Sequence, residues 1–339
     1  INKISGNWNT SIGQYMETDT YDPNDLGFLQ ANNSIGAWLF NSYSIFKPFG
    51  RFNRMWSDLN IMVEYLYFPR HFSSLSFEGS GGITTKKFNT WGFNVDGNPI
   101  RGYDFFEPRV WGRYFRTYSN VMTYGWFSSD YRKKLAIDVG SGYGFYADPD
   151  RYRYNVRVSP RIRFNNHLFL TYVYSFQSHY NDIGFAYAFE DAERTKPLFG
   201  TRDVISHTNV LTLKYAFNAF AVLNTRVRHY WGYTRFSKFH GLAEDGELVD
   251  TEVIAENQNF NTFTIDCMFT WIFTPGSELS LVWKNSITDS NDLVPSSLAD
   301  DLSYTFDLPQ NNSYSLKLIW FVDYHAVHDL LNREQRIVK

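Results

Sequence analysis

One cysteine, Cys267, stands in 339 residues. That excludes an internal disulfide and any metal or redox site built from paired thiolates. No apolar run approaches the roughly 18 residues that a transmembrane helix needs, and mean hydropathy is −0.38. Lysine and arginine total 32 against 35 acidic residues, for a net charge of −3. Without a basic excess there is no electrostatic footprint for nucleic acid. Gly-x-Ser-x-Gly, His-Glu-x-x-His and phosphate-loop signatures are also missing, so no familiar nucleophile, metalloprotease or nucleotide site is written here. The run Gly140-Ser141-Gly142-Tyr143-Gly144 lies among strand residues and reads as a bend or close packing.

What is abundant is aromatic side chain: 31 Phe, 24 Tyr and 10 Trp, 19% of the chain. That is more than a soluble core needs, and it suits rings placed at a membrane interface. The rings recur at every second position. In 153–164 one parity holds Arg153, Asn155, Arg157, Ser159, Arg161 and Arg163, and the other Tyr154, Val156, Val158, Pro160, Ile162 and Phe164. Successive strand residues face opposite ways, so such a segment has one wet and one oily face. Alternation and turn punctuation predict about fourteen strands, at 4–16, 34–46, 56–67, 75–86, 88–96, 117–128, 133–146, 152–164, 167–178, 205–217, 220–234, 260–273, 278–287 and 313–324. Short links (47–50, 165–166, 218–219, 274–277) are interspersed with long ones (17–33, 97–116, 179–204, 235–259, 288–312).

The fold expected is all-β: an antiparallel transmembrane β-barrel of about fourteen strands, more if the chain is truncated, with short periplasmic turns and long extracellular loops. The barrel is expected over 1–324, followed by a C-terminal periplasmic tail, 325–339, either a short amphipathic helix or a loose extension. Phe263, Ile265, Phe269, Trp271, Tyr314, Leu316 and Trp320 fall on the lipid parity, with Cys267 beside them as a small apolar residue. A protein of this kind must be exported, so a chain beginning at Ile1 without a signal peptide is expected to be mature, trimmed or part of something longer.

On the polar parity, Arg153, Arg157, Arg161, Arg163, Lys214, Arg226 and Arg228 form a candidate luminal cationic stripe, and Asp58, Glu64, Asp138, Asp266 and Glu278 are luminal anions. Two readings stand: the charges pair across the wall, or the stripe guides an anionic solute or grips an acidic plug. The loops carry Glu190, Asp191, Glu193, Glu244, Asp245, Glu247, Asp250, Glu252, Asp289, Asp292, Asp300 and Asp301. Asp289-Ser290-Asn291-Asp292 has the oxygens for calcium but matches no full loop consensus. Phe185, Tyr187, Phe189, Phe199 and Phe239 either stack on sugar rings or pack the loops together. His207, His229 and His240 do not assemble with a nucleophile on paper, so no enzymatic activity, catalytic residue, metal site or cofactor is expected.

Asn24-Asp25-Leu26-Gly27-Phe28-Leu29 with Asn32-Asn33, then Phe106-Glu107-Pro108-Arg109, Gly112-Arg113, Ser129-Asp130-Tyr131-Arg132-Lys133, Thr270-Trp271, Pro275-Gly276-Ser277-Glu278 through Asn285 and Pro309-Gln310-Asn311-Asn312-Ser313 carry a resemblance. Together they resemble an uncharacterised Bacteroidota outer-membrane β-barrel domain that typically follows a module similar to family-9 carbohydrate-binding domains. The resemblance implies a Gram-negative outer membrane, with lipid and lipopolysaccharide around the wall and a link to glycans, and it transfers no site residue. By residue chemistry, Asp104 and Glu107-Pro108-Arg109 read as a salt-bridged loop clasp. The function expected is a non-enzymatic channel or membrane anchor linked to glycan or solute handling. The alternative is a structural or assembly subunit of a larger complex with partner outer-membrane proteins or lipoproteins.

Overall fold

The computed structural model describes residues 1–324 except 26, 28, 30, 149, 192–193, 253–255 and 296, and only the backbone of 190, 191 and 194. The expected tail, 325–339, lies outside the described residues. In chain order the strands are β1 (Asn2–Lys3), β2 (Trp8–Glu17), β3 (Ser34–Ile45), β4 (Phe52–Leu66), β5 (Phe72–Thr85), β6 (Thr90–Asn98), β7 (Tyr103–Asp104), β8 (Phe115–Arg116), β9 (Asn120–Ser128), β10 (Leu135–Tyr146), β11 (Tyr152–Arg163), β12 (Leu168–Asp191), β13 (Arg194–Ala216), β14 (Ala221–Leu242), β15 (Leu248–Thr251), β16 (Gln258–Thr274) and β17 (Ser277–Asn291). Helix α1 (Leu298–Asp307) then precedes β18 (Asn311–Ile319).

All strands but β7 and β8 join one antiparallel sheet of 16 strands, ordered as in the chain, with β15 a side branch on β14. Setting aside β1 and β15, of 2 and 4 residues, fourteen long strands remain, each overlapping one alternating segment of the sequence. Among the described residues no pairing joins β1 or β2 to β18. Short turns are built as their residues dictate. Asn165 Oδ1 accepts the N–H groups of His167 and Leu168 at 2.8 and 2.9 Å. Asn218 does the same for Phe220 and Ala221. Gly276 takes the φ of 79° that closes the β16–β17 turn, a conformation glycine adopts without steric cost.

Four expectations need correction. Residues 179–204 are not a loop: β12 and β13 carry their ladder to Asp191 and Arg194. Register shifts between His179 and Asp182, Phe185 and Tyr187, and Thr201 and Arg202 break the alternation where the strand itself continues. Likewise β14 runs to Leu242 and pairs β15 within the expected loop 235–259. The loop 288–312 holds α1, which period-two reading passes over, although Ser297 caps it by accepting the N–H of Asp300. The last strand stops at Ile319 rather than 324, because its partner β17 turns at Ser277, whose hydroxyl then takes the N–H of Phe321.

Register aligns the faces across the sheet. One row runs Leu135, Ile162, Leu170, Leu213, Thr225, Cys267, Trp283, Tyr314 from β10 to β18. The neighbouring row on the opposite face runs Arg161, Thr171, Thr212, Arg226, Asp266, Lys284, Ser313. Outside the patch where α1 packs on Phe263, the apolar face stays uncovered: Tyr154 is 40% exposed, Leu135 60%, Leu316 67% and Trp320 70%. On the polar face, aromatic rings lie flat over glycines of the adjoining strand. A Cβ on Gly92 would fall inside the Trp126 indole. The largest wholly buried side chains, Phe199 and Leu198, belong to the β12–β13 hairpin, at the end with the long connections.

Candidate functional site

The polar face is largely divided by charge. Glu17, Asp58, Glu64, Glu78, Asp96 and Asp138 lie on β2–β10 with Arg54 among them, whereas the cationic stripe begins on β11 and continues through Arg228, Lys284 and Lys317 on β14, β17 and β18, interrupted by Asp266 and Glu278 on β16 and β17. One row joins the two halves directly: Glu78, Asp96, Met122, Gly144, Arg153, His179.

Residues 99–119 cross this face. Near β5, His71 packs edge-on against Tyr103 and Phe105 with centroids at 4.8 and 5.4 Å. On the far side, Glu107 accepts the N–H of Phe185 at 2.7 Å, Phe115 packs on Phe199 at 4.9 Å, and Arg113 donates to the Leu242 and Ala243 carbonyls. Glu247 ties both flanks by ion pairs to Arg101 (3.2 Å) and Arg116 (2.7 Å). A single segment that touches β5, β12, β13 and β14 requires a strongly curled sheet. The expected clasp is present but is not a salt bridge. Asp104 caps the N–H groups of Phe106 and Glu107, and Arg109 lies over the rings of Phe106 and Phe185.

Beneath this segment is a cavity of about 1480 Å³ with an anionic and a cationic side. Glu64, Asp96, Asn98 and Asn120 line one side; Arg151, Arg153, Asp182 and Arg202 line the other. Three guanidinium groups converge on Asp182, from Arg151 at 2.6 Å, Arg153 at 3.5 Å and Arg202 at 3.7 Å. Arg151 and Arg153 also cover the Tyr146 ring, at 4.4 and 5.4 Å. The Nε atoms of all three arginines are buried and lack a hydrogen-bond partner. Arg151 and Arg202 lay outside the sequence-derived stripe because one is in a connection and the other beside a register shift.

The remaining stripe residues are solvent-facing. Arg157 donates to Ser175 at 3.2 Å, Arg161 stacks over Tyr131, Arg163 stacks over Phe169, and Arg228 pairs with Asp266 at 3.1 Å. Lys214 and Arg226 are exposed and make no ion pair among the described residues. Of the anions, Asp138 accepts from Ser128 and Tyr131, Glu64 from Ser74 and Tyr15, and Glu278 from Ser280. Phe199 on β13 and Phe239 on β14 are buried, the first against Phe115 and the second against Phe236. Among the described residues no group of three His, Cys, Asp or Glu is placed to hold a metal. Asp289 is engaged by Asn291 and Tyr304, whose hydroxyl pKa is pushed up by that hydrogen bond.

Sequence reasoning missed two His–Asp pairs. His229 meets Asp301 of α1 at 2.9 Å, on the apolar-parity face. His240 sits between Asp250 (2.7 Å) and the Thr201 hydroxyl (2.8 Å). Neither pair faces the cavity. No curated protein matches the chain. The family model described as "Domain of unknown function (DUF5916)" matches residues 1–331, and the chain, with its charge-segregated antiparallel sheet, belongs to that family.

Proposed function

We propose that this chain forms a non-enzymatic β-barrel in the outer membrane of a Gram-negative bacterium of the Bacteroidota, and that its polar face lines a path for glycans or other solutes. The carrying observation is the uncovered apolar face. Leu135, Leu211, Leu281 and Leu316 are all exposed on it, and soluble monomers rarely leave so extended an apolar surface in water. Strands can cross a bilayer only if every edge is paired, so the reading requires the two ends of the sheet to meet in the membrane-embedded protein. The segregated charges and the cavity then face a watery interior, where they act on solutes at short range.

The test is reconstitution. The detergent-purified chain is added to planar bilayers, and discrete conductance steps are expected. A protein that folds in vesicles yet never conducts would remove the channel and leave the membrane-anchor version. One observation favours a second reading, a structural subunit of a larger outer-membrane complex. Strand β18 pairs with β17 alone among the described residues and is exposed along its whole length, which offers an edge to a partner barrel or lipoprotein. A stoichiometric partner in gentle-detergent purification supports that reading.

A further inference from the structure

We infer that the cavity beneath residues 99–119 binds a polyhydroxylated organic acid of the uronic acid class, with its carboxylate on the Arg151, Arg153 and Arg202 guanidinium groups and its hydroxyls on the acidic and amide side chains of β4–β9. The inference deepens the solute-path reading and rests on it.

Three guanidinium groups share one close carboxylate, and only Arg151 reaches Asp182 at full hydrogen-bond length, 2.6 Å. Arg153 and Arg202 stand farther off Asp182, at 3.5 and 3.7 Å, and Arg202 spends Nη1 on the Phe185 carbonyl at 3.1 Å while Nη2 faces Asp182. Glu107, the next carboxylate, is engaged by the Phe185 N–H, and no other carboxylate of the described residues lies within ion-pairing distance of the trio. Guanidinium offers forked donors that match a carboxylate in pairs. Arg151 is 9% exposed, so its charge is little screened by solvent. The lining from β4 to β9, on the same sheet, has the opposite chemistry. Asp96 presents acceptors there beside Glu64, whose two oxygens already accept from Tyr15 and Ser74, and Asn98 and Asn120 donate their amide N–H groups to the Leu75 and Tyr118 carbonyls, leaving their own side-chain oxygens for hydroxyl donors. A simple anion would be attracted by the arginines and repelled by Glu64 and Asp96. A sugar acid satisfies both.

The experiment is calorimetric titration of the detergent-solubilised full chain with sodium glucuronate, glucose and sodium sulfate. Glucuronate is expected to bind saturably, at least about tenfold more tightly than either probe, because it alone engages both sets of side chains. Arg202→Gln, which removes the most distant of the three guanidinium groups, is expected to weaken glucuronate about tenfold while the heat transition of the protein persists. Asp182→Asn removes the competing carboxylate and is expected to tighten it. A merely structural cluster predicts that Asp182→Asn destabilises without gain in affinity. Glucuronate no tighter than glucose or sulfate, or an affinity unchanged in both variants, overturns the inference. Binding in micelles needs no conductance, so a chain that conducts but ignores glucuronate refutes this site and leaves the channel standing.

Discussion

His229 on β14 and Asp301 on α1 are 72 positions apart and meet at 2.9 Å, where the carboxylate also accepts from Asn261 at 2.7 Å. Asp301 is wholly buried. It is the polar pin that holds the helix against β14 and β16, beside the packing of Phe306 on Phe263 at 5.0 Å. Asp301→Ala leaves the buried His229 ring nitrogen without its partner and takes one of two acceptors from the Asn261 amide, which still reaches Thr305, at a cost of about 1–3 kcal/mol. The expected outcome is rapid proteolysis between residues 292 and 310 with the strands left intact. Cleavage no faster than in the parent chain would show that the helix is held by packing alone.

The β9–β10 turn carries an acid-sensitive clamp. Hydrogen bonds from the Arg132 side chain and backbone N–H hold the Asp130 carboxyl at about 2. Arg132 itself lies over the Phe88 ring at 3.5 Å, and Asp130 N–H donates to Asn89, so the clamp ties this turn to the one before it. A carboxyl lowered on folding adds stability that is complete above its unfolded pKa, about 3.9, and is lost as pH falls through the folded value. Acid unfolding should therefore steepen between about pH 4 and 2. Asp130→Asn should flatten that part of the profile, as read by tryptophan fluorescence. An unchanged profile would mean the turn does not contribute.

If the polar face lines a channel, residues 99–119 narrow it. They are tied on both sides, by His71 at β5 and by Phe185, Phe199 and Leu242 on the β12–β14 hairpins, so they form a fixed constriction rather than a lid. Replacing Tyr103–Tyr114 with a short glycine-serine link is expected to raise single-channel conductance and to weaken any charge selectivity set beneath it. Conductance equal to that of the parent would place the narrowest point elsewhere.

Period-two alternation made the strands legible because one face is apolar along nearly every strand. It lost the upper parts of β12, β13 and β14, where Asn181, Asp182, Gly184 and Gly200 resemble turn residues and three register shifts reverse the parity. There the ladder continues without the pattern that announces it. Helix α1 had a readable start in Ser297 with Asp300 three positions on, and a stop at Pro309, but ten residues with mixed polarity gave no clear helical stripe. The cationic stripe was visible from Arg153 onward. Its convergence with Arg151 and Arg202 on Asp182 was not, because that depends on where the shifts place β12 against β13. The two His–Asp pairs were hidden for a related reason: Asp250 reaches His240 through the β14–β15 ladder, and Asp301 reaches His229 through a helix folded back over the wall.

Adjacent residues on β13 offer the most direct check of which face meets lipid. Leu211 pairs with Tyr172 and Val227, Thr212 with Thr171 and Arg226, so the two point to opposite faces of the same strand. Leu211 is 38% exposed despite being apolar. An arginine facing the bilayer midplane costs about 2–4 kcal/mol, whereas one facing a watery lumen costs little. Leu211→Arg is therefore expected to lower the stability of the chain refolded into vesicles by that amount, and Thr212→Arg to change it by less than about 1 kcal/mol. Urea unfolding in vesicles measures both. Equal losses would mean that neither face meets lipid, and a larger loss for Thr212→Arg would turn the sheet inside out.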